Sequence, residues 1–140
     1  KLKILADEKK QKLIYSIADE PLKALIDPDA LEQIITNLIS NAIKYTNENG
    51  TIEVKLYSVL GKVHLDVIDN GIGIPEKDQK RIFERFYRVE KGRSRKMGGT
   101  GLGLSIAKEM ANAYKADIVF TSKFGIGTTF TFLIDEYKEK

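Results

Sequence analysis

The sequence contains no cysteine, which limits the chemistry that it can support. Without cysteine there is no disulfide framework, no thiolate metal site and no cysteine nucleophile. The sequence also lacks an apolar run long enough to span a bilayer, and no signal-peptide pattern follows Lys1. Neither sign of charge is in large excess, because 23 basic and 20 acidic residues give a net charge of +3. This surplus is too small to indicate nucleic-acid binding without a concentrated basic patch.

The length and composition predict one folded globular domain. The chain has 140 residues, of which 42% are hydrophobic and 31% charged, as is ordinary for a protein with a buried core. The helical sequence that starts at residue 2 has no capping residue before it. We therefore expect residues 1–10 to be the end of a helix from a preceding domain. The folded domain then spans residues 11–137. We expect it to be cytoplasmic, whether or not its parent protein is anchored in a membrane.

Hydrophobic periodicity predicts both strands and helices, without strict alternation between them. Strands are predicted at residues 12–17, 51–58, 62–69, 117–122 and 128–134. Helices are predicted at residues 2–10, 28–45 and 101–114, with shorter helical stretches after Pro75 and over residues 80–88. This succession is typical of an α+β fold, a two-layer sandwich in which a mostly antiparallel sheet packs on helices. The order of the strands in the sheet stays open.

The helix predicted at residues 28–45 carries a polar face as well as an apolar stripe. Asn37 and Asn41 are four residues apart and share one face, which Lys44 and Tyr45 extend by a turn. Asparagine is a poor helix former, so two of them in an apolar helix need partners. One interpretation is that Asn41 offers its amide oxygen to Mg²⁺ while Asn37 and Lys44 reach phosphate oxygens. Tyr45 would then pack near a nucleotide base. The alternative is a polar outer face without a ligand.

A glycine-rich run, residues 69–74, follows the strand predicted at residues 62–69. Asp69 ends that strand, and its carboxylate accepts hydrogen bonds without donating any. Such a group can accept a hydrogen bond from the amino group of adenine, while Gly71 and Gly73 leave room for the ring. Asp-Asn-Gly is also one of the commonest turn sequences, so a plain turn is the alternative interpretation.

A second glycine-rich run, residues 99–104, leads directly into a predicted helix. Backbone amides of Gly99, Gly101 and Gly103 can point at an anion, and the helix N-terminus adds its partial positive charge. No Gly-Lys-Ser or Gly-Lys-Thr follows, so this is not a Walker loop. It follows a charged segment instead of a strand, so it is not a dinucleotide fingerprint either. A flexible glycine linker is the alternative, which the interleaved leucines disfavour.

Two further side chains have candidate roles. Arg88 lies in a basic cluster next to aromatic residues, a setting that could hold its guanidinium near a transferring phosphate. His64 lies within a predicted strand, on the face opposite Val63 and Leu65. A structural or surface histidine is the expected role there, in preference to a phosphoacceptor.

Five blocks of the sequence, taken together, resemble the ATP-binding catalytic domain of two-component sensor histidine kinases. They are residues 37–45, 69–74, 83–88, 99–104 and 125–130, which are similar to the asparagine, first glycine, phenylalanine and second glycine boxes and to the closing strand signature. The same superfamily includes gyrase, mismatch-repair ATPases and a heat-shock chaperone. The resemblance implies a Bergerat-type sandwich with a flexible lid, at about residues 76–98, that closes over ATP–Mg²⁺.

The resemblance also implies roles for individual residues. Lys44 and Arg88 would be catalytic, and Asn41 would bind the metal ion. The residues expected to contact ATP are Asn37, Asn41, Lys44, Tyr45, Asp69, Gly71, Gly73, Ile74, Gly99, Thr100, Gly101, Leu102, Gly103, Leu104 and Thr128. Residues 114–117, Tyr-Lys-Ala-Asp, depart from the His-Gly-Gly that many relatives have after the last helix.

The implied reaction is transfer of the γ-phosphoryl group of ATP to a histidine on a dimerisation domain of the same protein, which residues 1–140 do not contain. A response regulator would act downstream. We expect the chain itself to be monomeric and its parent to be a homodimer. Hydrolytic relatives place a glutamate four residues before the metal-binding asparagine, whereas this chain has Asn37, which cannot act as a general base. An ATPase is therefore disfavoured, and a nucleotide-dependent interaction module is the second hypothesis.

Overall fold

Five strands in the described part of the chain form one mixed sheet. The computed structural model describes residues 2–19, 21–84 and 103–137, without the side chains of Leu2, Lys3 and Leu5. The strands are β1 (Lys12–Ile17), β2 (Thr51–Val59), β3 (Lys62–Asp69), β4 (Asp117–Lys123) and β5 (Gly127–Asp135). Their order is β1-β2-β3-β5-β4, with β1 and β2 parallel and the other neighbours antiparallel. All five predicted strands are confirmed, with ends that differ by at most one residue.

Helices α1 (Leu2–Glu8), α2 (Pro28–Tyr45) and α3 (Gly103–Ala113) accompany the sheet, together with a short 3₁₀ helix (Glu76–Arg81). The helix predicted at residues 2–10 ends at Glu8, where a turn leads into β1. The prediction of a helical stretch over residues 80–88 is wrong as far as Glu84, because the 3₁₀ helix ends at Arg81 and a turn follows. No helix in the described ranges is long and apolar enough to cross a membrane.

Helix α2 begins and packs as its sequence predicts. The Asp27 side chain accepts a hydrogen bond from the backbone N–H of Asp29 at 2.8 Å, and Pro28 occupies the first helical position. The helix buries one stripe against the sheet and α3: Ala30, Ile34, Leu38, Ile39, Ala42 and Ile43. Its opposite side therefore remains available for polar groups.

The core lies between the helices and one face of the sheet. Alternate residues of β3 and β5 contribute to it, namely Val63, Leu65, Val67, Phe130, Phe132 and Ile134. Ala107 and Ala111 cover part of this face from α3. The predicted two-layer α+β arrangement is therefore confirmed.

Strand β1 is less buried than its alternating sequence suggests. Tyr15 and Ile17 are 55% and 63% exposed, and of the alternating residues only Leu13 packs against the core. Strand β1 lies at the edge of the sheet, where a neighbouring strand covers only one of its sides. Period-two alternation therefore identifies this strand without showing how much of its face is covered.

The outer face of the sheet carries a polar cluster around Asp66. Its carboxylate is buried and accepts hydrogen bonds from the hydroxyls of Tyr57 and Thr131, both at 2.7 Å. The bond to Asp66 raises the pKa of the Tyr57 phenol to about 12. The His64 ring stacks on Tyr57 with the ring centres 4.9 Å apart. His64 thus lies on the outer face, as predicted, within a structural cluster.

Candidate functional site

Helix α2 carries the predicted polar face beside its buried apolar stripe. Asn37, Asn41, Lys44 and Tyr45 are all half-buried, while their helix neighbours form the buried stripe. The side-chain amide of Asn37 donates to the backbone carbonyl of Gly103 at 3.2 Å. This bond joins the middle of α2 to the first residue of α3, and so brings the asparagine face next to the end of the second glycine run.

The C-terminal end of α2 meets the first glycine run directly. The backbone N–H of Ile72 donates to the carbonyl oxygen of Tyr45 at 3.1 Å. A Cβ atom on Gly71 would lie 2.2 Å from that same oxygen, so only glycine permits this approach. The backbone of the glycine run is thereby fixed against the last turn of α2.

Asp69 lies at the end of β3, beside this junction, and is buried. Its Oδ1 atom accepts hydrogen bonds from the backbone N–H groups of Gly71 at 2.9 Å and Thr128 at 3.3 Å. Burial raises the pKa of the Asp69 carboxyl, and these two bonds act in the opposite direction. Both bonds end on Oδ1, so Oδ2 has no donor among residues 2–19, 21–84 and 103–137.

The other side of the glycine run is held by the β4–β5 turn. Gly73 has a φ of +73°, and a Cβ there would lie 2.3 Å from the carbonyl oxygen of Lys123. The N–H of Ile74 donates to Ser122 Oγ at 2.8 Å, and Ser122 Oγ lies 2.8 Å from Thr128 Oγ1. Asp69, Gly71, Gly73, Ile74 and Thr128, all predicted site residues, thus lie together.

Ser122 belongs to this cluster but was not among the predicted site residues. It is paired with Thr128 in the β4–β5 register, and both hydroxyls lie on the same side of the hairpin. The sequence signal that could have found Ser122 is this pairing across the turn at residues 124–126. The pairing identifies the partner only when the register is known.

The second glycine run is described only from Gly103 onward. Gly103 is exposed at the start of α3, and a Cβ built on it meets nothing within 4 Å in the described part of the chain. Leu104 is half-buried and packs against the core. Gly99, Thr100, Gly101, Leu102 and Arg88, also predicted to belong to the site, lie outside the described residues.

Asn41 and Asp69 are described side chains at the site that could contact a metal ion and a nucleotide. Within the described ranges there is no group of three or more acidic or histidine side chains that could hold a metal ion. Mg²⁺ usually takes one or two protein oxygens and completes its octahedron with phosphate oxygens and water. The half-buried amide of Asn41 can supply such an oxygen, while Asp69 Oδ2 supplies an open acceptor.

Comparison with known proteins identifies the family of the chain. Residues 26–138 match the family described as histidine kinase-, DNA gyrase B-, and HSP90-like ATPase. The chain is 45% identical over 138 residues to the sensor histidine kinase WalK of Bacillus subtilis, covering 97% of this chain and 22% of that protein. It is 42% identical over 137 residues to the sensor-like histidine kinase SenX3 of Mycolicibacterium smegmatis, covering 98% of this chain and 35% of that protein. The chain therefore spans about a fifth to a third of these relatives.

Solved structures share the fold. The mycobacterial sensor histidine kinase MprB superposes with a TM-score of 0.84 at 24% identity, covering 99% of this chain and 92% of that one. A nucleotide-free catalytic domain of the histidine kinase ThkA gives a TM-score of 0.79 at 28% identity, covering 96% of this chain and 88% of that one. Together with the sequence matches, these likenesses confirm the resemblance described above. The chain belongs to the histidine kinase-, DNA gyrase B- and HSP90-like ATPase family, as a kinase catalytic ATPase domain of the sensor histidine kinase type.

Proposed function

We propose that this chain binds ATP–Mg²⁺ and donates the γ-phosphoryl group to a histidine on a separate dimerisation domain. It would do so as the catalytic part of a two-component sensor histidine kinase. One observation carries the proposal: α2 is hydrogen-bonded both to Gly103, through Asn37, and to the first glycine run, through Tyr45. The first glycine run and Gly103 thus border one helix, and an open carboxylate oxygen of Asp69 lies beside the first of these contacts.

The base would bind at Asp69. Its Oδ2 can accept a hydrogen bond from the exocyclic amino group of adenine, while Oδ1 remains bonded to the backbone N–H groups of Gly71 and Thr128. Gly73 and Ile74 continue the wall of the site from Gly71. Tyr45, at the end of α2, would pack near the base.

The phosphates and the metal ion would bind along the asparagine face. Asn41 would ligate Mg²⁺ through its amide oxygen, and Asn37 and Lys44 would contact phosphate oxygens. When bound, Mg²⁺ neutralises phosphate charge and polarises the phosphoryl oxygens. Backbone N–H groups of residues 99–104 would bind phosphate oxygens at the N-terminal end of α3, which carries a partial positive charge.

The chain would contribute position and charge to the transfer and no nucleophile of its own. The bond between the γ-phosphorus and the bridging oxygen of ADP breaks, a bond from an imidazole nitrogen to phosphorus forms, and the imidazole releases its proton. Lys44 and Arg88 would neutralise charge on the transferring group. The amide of Asn37 cannot take a proton from water, so it cannot activate a water molecule for attack. This favours transfer to a histidine over hydrolysis of ATP.

The proposal extends to the protein of which this chain is a part. Residues 1–10, in which the helix ends at Glu8, would continue from the dimerisation domain. Residues 11–137 would form the catalytic domain, and residues 76–98 a lid over the nucleotide. The chain by itself would be monomeric and cytoplasmic. Its parent protein would be a homodimer, with or without a membrane anchor, and a response regulator would act downstream. The longer relatives support a larger parent protein, because the chain spans only 22% of WalK.

The direct test is phosphoryl transfer in trans. The chain is mixed with the helical hairpin domain of its own parent protein and with ATP labelled at the γ-phosphate. We expect label on the hairpin that is labile in acid and stable in alkali, and no label when the hairpin's histidine is replaced by alanine. Steady release of inorganic phosphate without transfer would contradict the proposal and indicate an ATPase. Binding of ATP with neither outcome would contradict it in favour of an interaction module.

A further inference from the structure

The turn between α1 and β1 reaches the C-terminal end of α2. The Lys9 ammonium group donates to the carbonyl oxygens of Ile43 at 2.8 Å, Lys44 at 3.3 Å and Thr46 at 2.8 Å. These three bonds use all the donors that a lysine side chain has. Lys9 therefore closes the end of a helix that lies more than thirty residues further along the chain.

Gln11 adds to the same cap from the start of the sheet. Gln11 is 5% exposed, and its side-chain amide group donates to the carbonyls of Ile43 at 3.0 Å and Thr46 at 2.7 Å. Helix α2 has no glycine at its end, and Thr46 leaves it in an extended conformation with φ −98° and ψ 135°. Side chains of residues 9 and 11 thus replace the usual local cap.

The carbonyls at the C-terminal end of α2, together with that of the following residue Thr46, are shared between two segments of the chain. Those of Ile43, Lys44 and Thr46 accept from the α1–β1 turn, and that of Tyr45 accepts from Ile72. The turn and the first glycine run are therefore joined through a single helical turn.

Electrostatics favour a cation at this position, even at the cost of burying it. The negative end of the α2 dipole, with carbonyl oxygens that have no partner within the helix, attracts an ammonium group. Burial lowers the pKa of Lys9, and the Glu48 carboxylate opposes that shift. The neighbouring Lys10 is exposed, so the same turn presents one lysine to solvent and one to the helix end.

We propose that Lys9 and Gln11 are positioning residues for the nucleotide site, acting through the last turn of α2. That turn carries Lys44 and Tyr45, and its Tyr45 carbonyl fixes the backbone of Ile72. Displacing the turn moves the glycine run and, through the N–H of Gly71, the carboxylate of Asp69. This inference rests on the nucleotide-binding function proposed above.

The test compares Lys9→Met with Lys10→Met, two equal changes on adjacent residues. Affinity for a non-hydrolysable ATP analogue with Mg²⁺ is measured by calorimetry at a temperature where each variant is folded. The backbone amide signal of Ile72 is measured by NMR without nucleotide. We expect Lys9→Met to weaken binding roughly threefold to tenfold and to shift the Ile72 signal, as loss of a charge at a helix terminus would. Lys10→Met should change neither, and Lys9→Arg should restore part of the affinity.

A lower unfolding temperature for Lys9→Met, with unchanged affinity and an unshifted Ile72 signal, would show a purely structural role and overturn the proposal. If Lys9→Met does not fold, Gln11→Leu provides the same comparison, because it removes two of the cap's bonds and keeps those of Lys9. Unchanged affinity and an unshifted signal in Gln11→Leu would then overturn it. If the chain without substitution binds no nucleotide, the proposed function fails. The Ile72 signal then still reports whether Lys9 positions the glycine run.

Discussion

Two buried aspartates on strand β3 face opposite sides of the sheet and have different surroundings. Asp66 accepts a hydroxyl hydrogen bond on each of its oxygens, from Tyr57 and Thr131. Asp69 accepts both of its bonds on Oδ1. The first carboxylate is satisfied within the protein, whereas the second has an acceptor atom left for a ligand.

Asp69→Asn should reduce discrimination between ATP and GTP analogues. A carboxylate only accepts, so it favours the amino group of adenine, whereas an amide can also donate to the 6-oxo group of guanine. Losing a hydrogen bond to a charged group costs about 1.5–3 kcal/mol, so we expect the preference for adenine to fall by roughly tenfold or more. Competition between the two analogues in calorimetry measures this ratio.

Asp66→Asn is the matched control, because it makes the same change on the same strand but on the outer face. It should lower the unfolding temperature and leave the preference for adenine unchanged. An Asp69→Asn variant that discriminates as well as the parent chain would remove Asp69 from base recognition.

The raised pKa of Asp69 predicts a pH dependence of stability. The folded protein binds this proton more tightly than the unfolded chain, so the stability due to protonation is present below the unfolded pKa and is lost as pH rises through the folded pKa. Asp69→Asn removes this loss and should raise the free energy of unfolding at neutral pH. The gain should shrink as pH falls through the raised folded pKa and be absent below about 4, the usual aspartate pKa. Denaturant unfolding at several pH values tests this, and a pH-independent difference would contradict it.

At the scale of the elements, α2 organises the site because three segments are hydrogen-bonded to it. Asn37 joins it to α3, Tyr45 joins it to the first glycine run, and Lys9 joins it to the α1–β1 turn. The helix itself could be predicted from its Asp27 cap, Pro28 and apolar stripe. The long-range bonds of Lys9 could not, because a lysine in a polar turn has no sequence signal that distinguishes it from an exposed neighbour such as Lys10.

Two glycine substitutions should separate a structural glycine from one that leaves space for a ligand. In Gly71→Ala the new methyl group collides with the Tyr45 carbonyl, so we expect a loss of about 3 kcal/mol or more in the free energy of unfolding. In Gly103→Ala the methyl group meets nothing, and stability should stay the same or rise by up to about 1 kcal/mol. Gly103→Ala should nevertheless bind the ATP analogue roughly tenfold more weakly, because the methyl group occupies space beside the N-terminus of α3.

Unfolding curves and calorimetry on the same two variants supply the measurements. Parental affinity in a stable Gly103→Ala variant would show that no phosphate approaches this residue. If Gly71→Ala unfolds with the same free energy as the unsubstituted chain, residue 71 does not approach the Tyr45 carbonyl closely enough to exclude a methyl group.

At the scale of the whole molecule, the sheet order gathers the candidate site at one end. The end of β3, the end of β4 and the start of β5 are neighbours there, which places Asp69, Ser122 and Thr128 together. Sequence periodicity predicted the five described strands and the buried face of β3, because alternation follows from the pleat. It did not give the order of the strands in the sheet or their register, and so it missed Ser122, whose role depends on the β4–β5 register.

Two candidate site residues that come from different recognised blocks lie in contact. Asp69 and Thr128 were predicted from separate blocks and are joined by a hydrogen bond of 3.3 Å. By contrast, exposure of Tyr15 and Ile17 on β1 could not be inferred, because it depends on which element covers the sheet edge. Local patterns thus identify the elements and the chemistry, while long-range packing decides what is covered.

The most direct test of the ATP–Mg²⁺ site is titration calorimetry of the chain with a non-hydrolysable ATP analogue, with and without Mg²⁺. It is run on the unsubstituted chain, on Asn41→Ala, and on Asn112→Ala as a control at an exposed asparagine of α3. We predict that Mg²⁺ strengthens binding to the unsubstituted chain and to Asn112→Ala by roughly tenfold or more, and that Asn41→Ala loses this enhancement. No binding to the unsubstituted chain at millimolar nucleotide, or an equal Mg²⁺ enhancement in Asn41→Ala, would contradict the account.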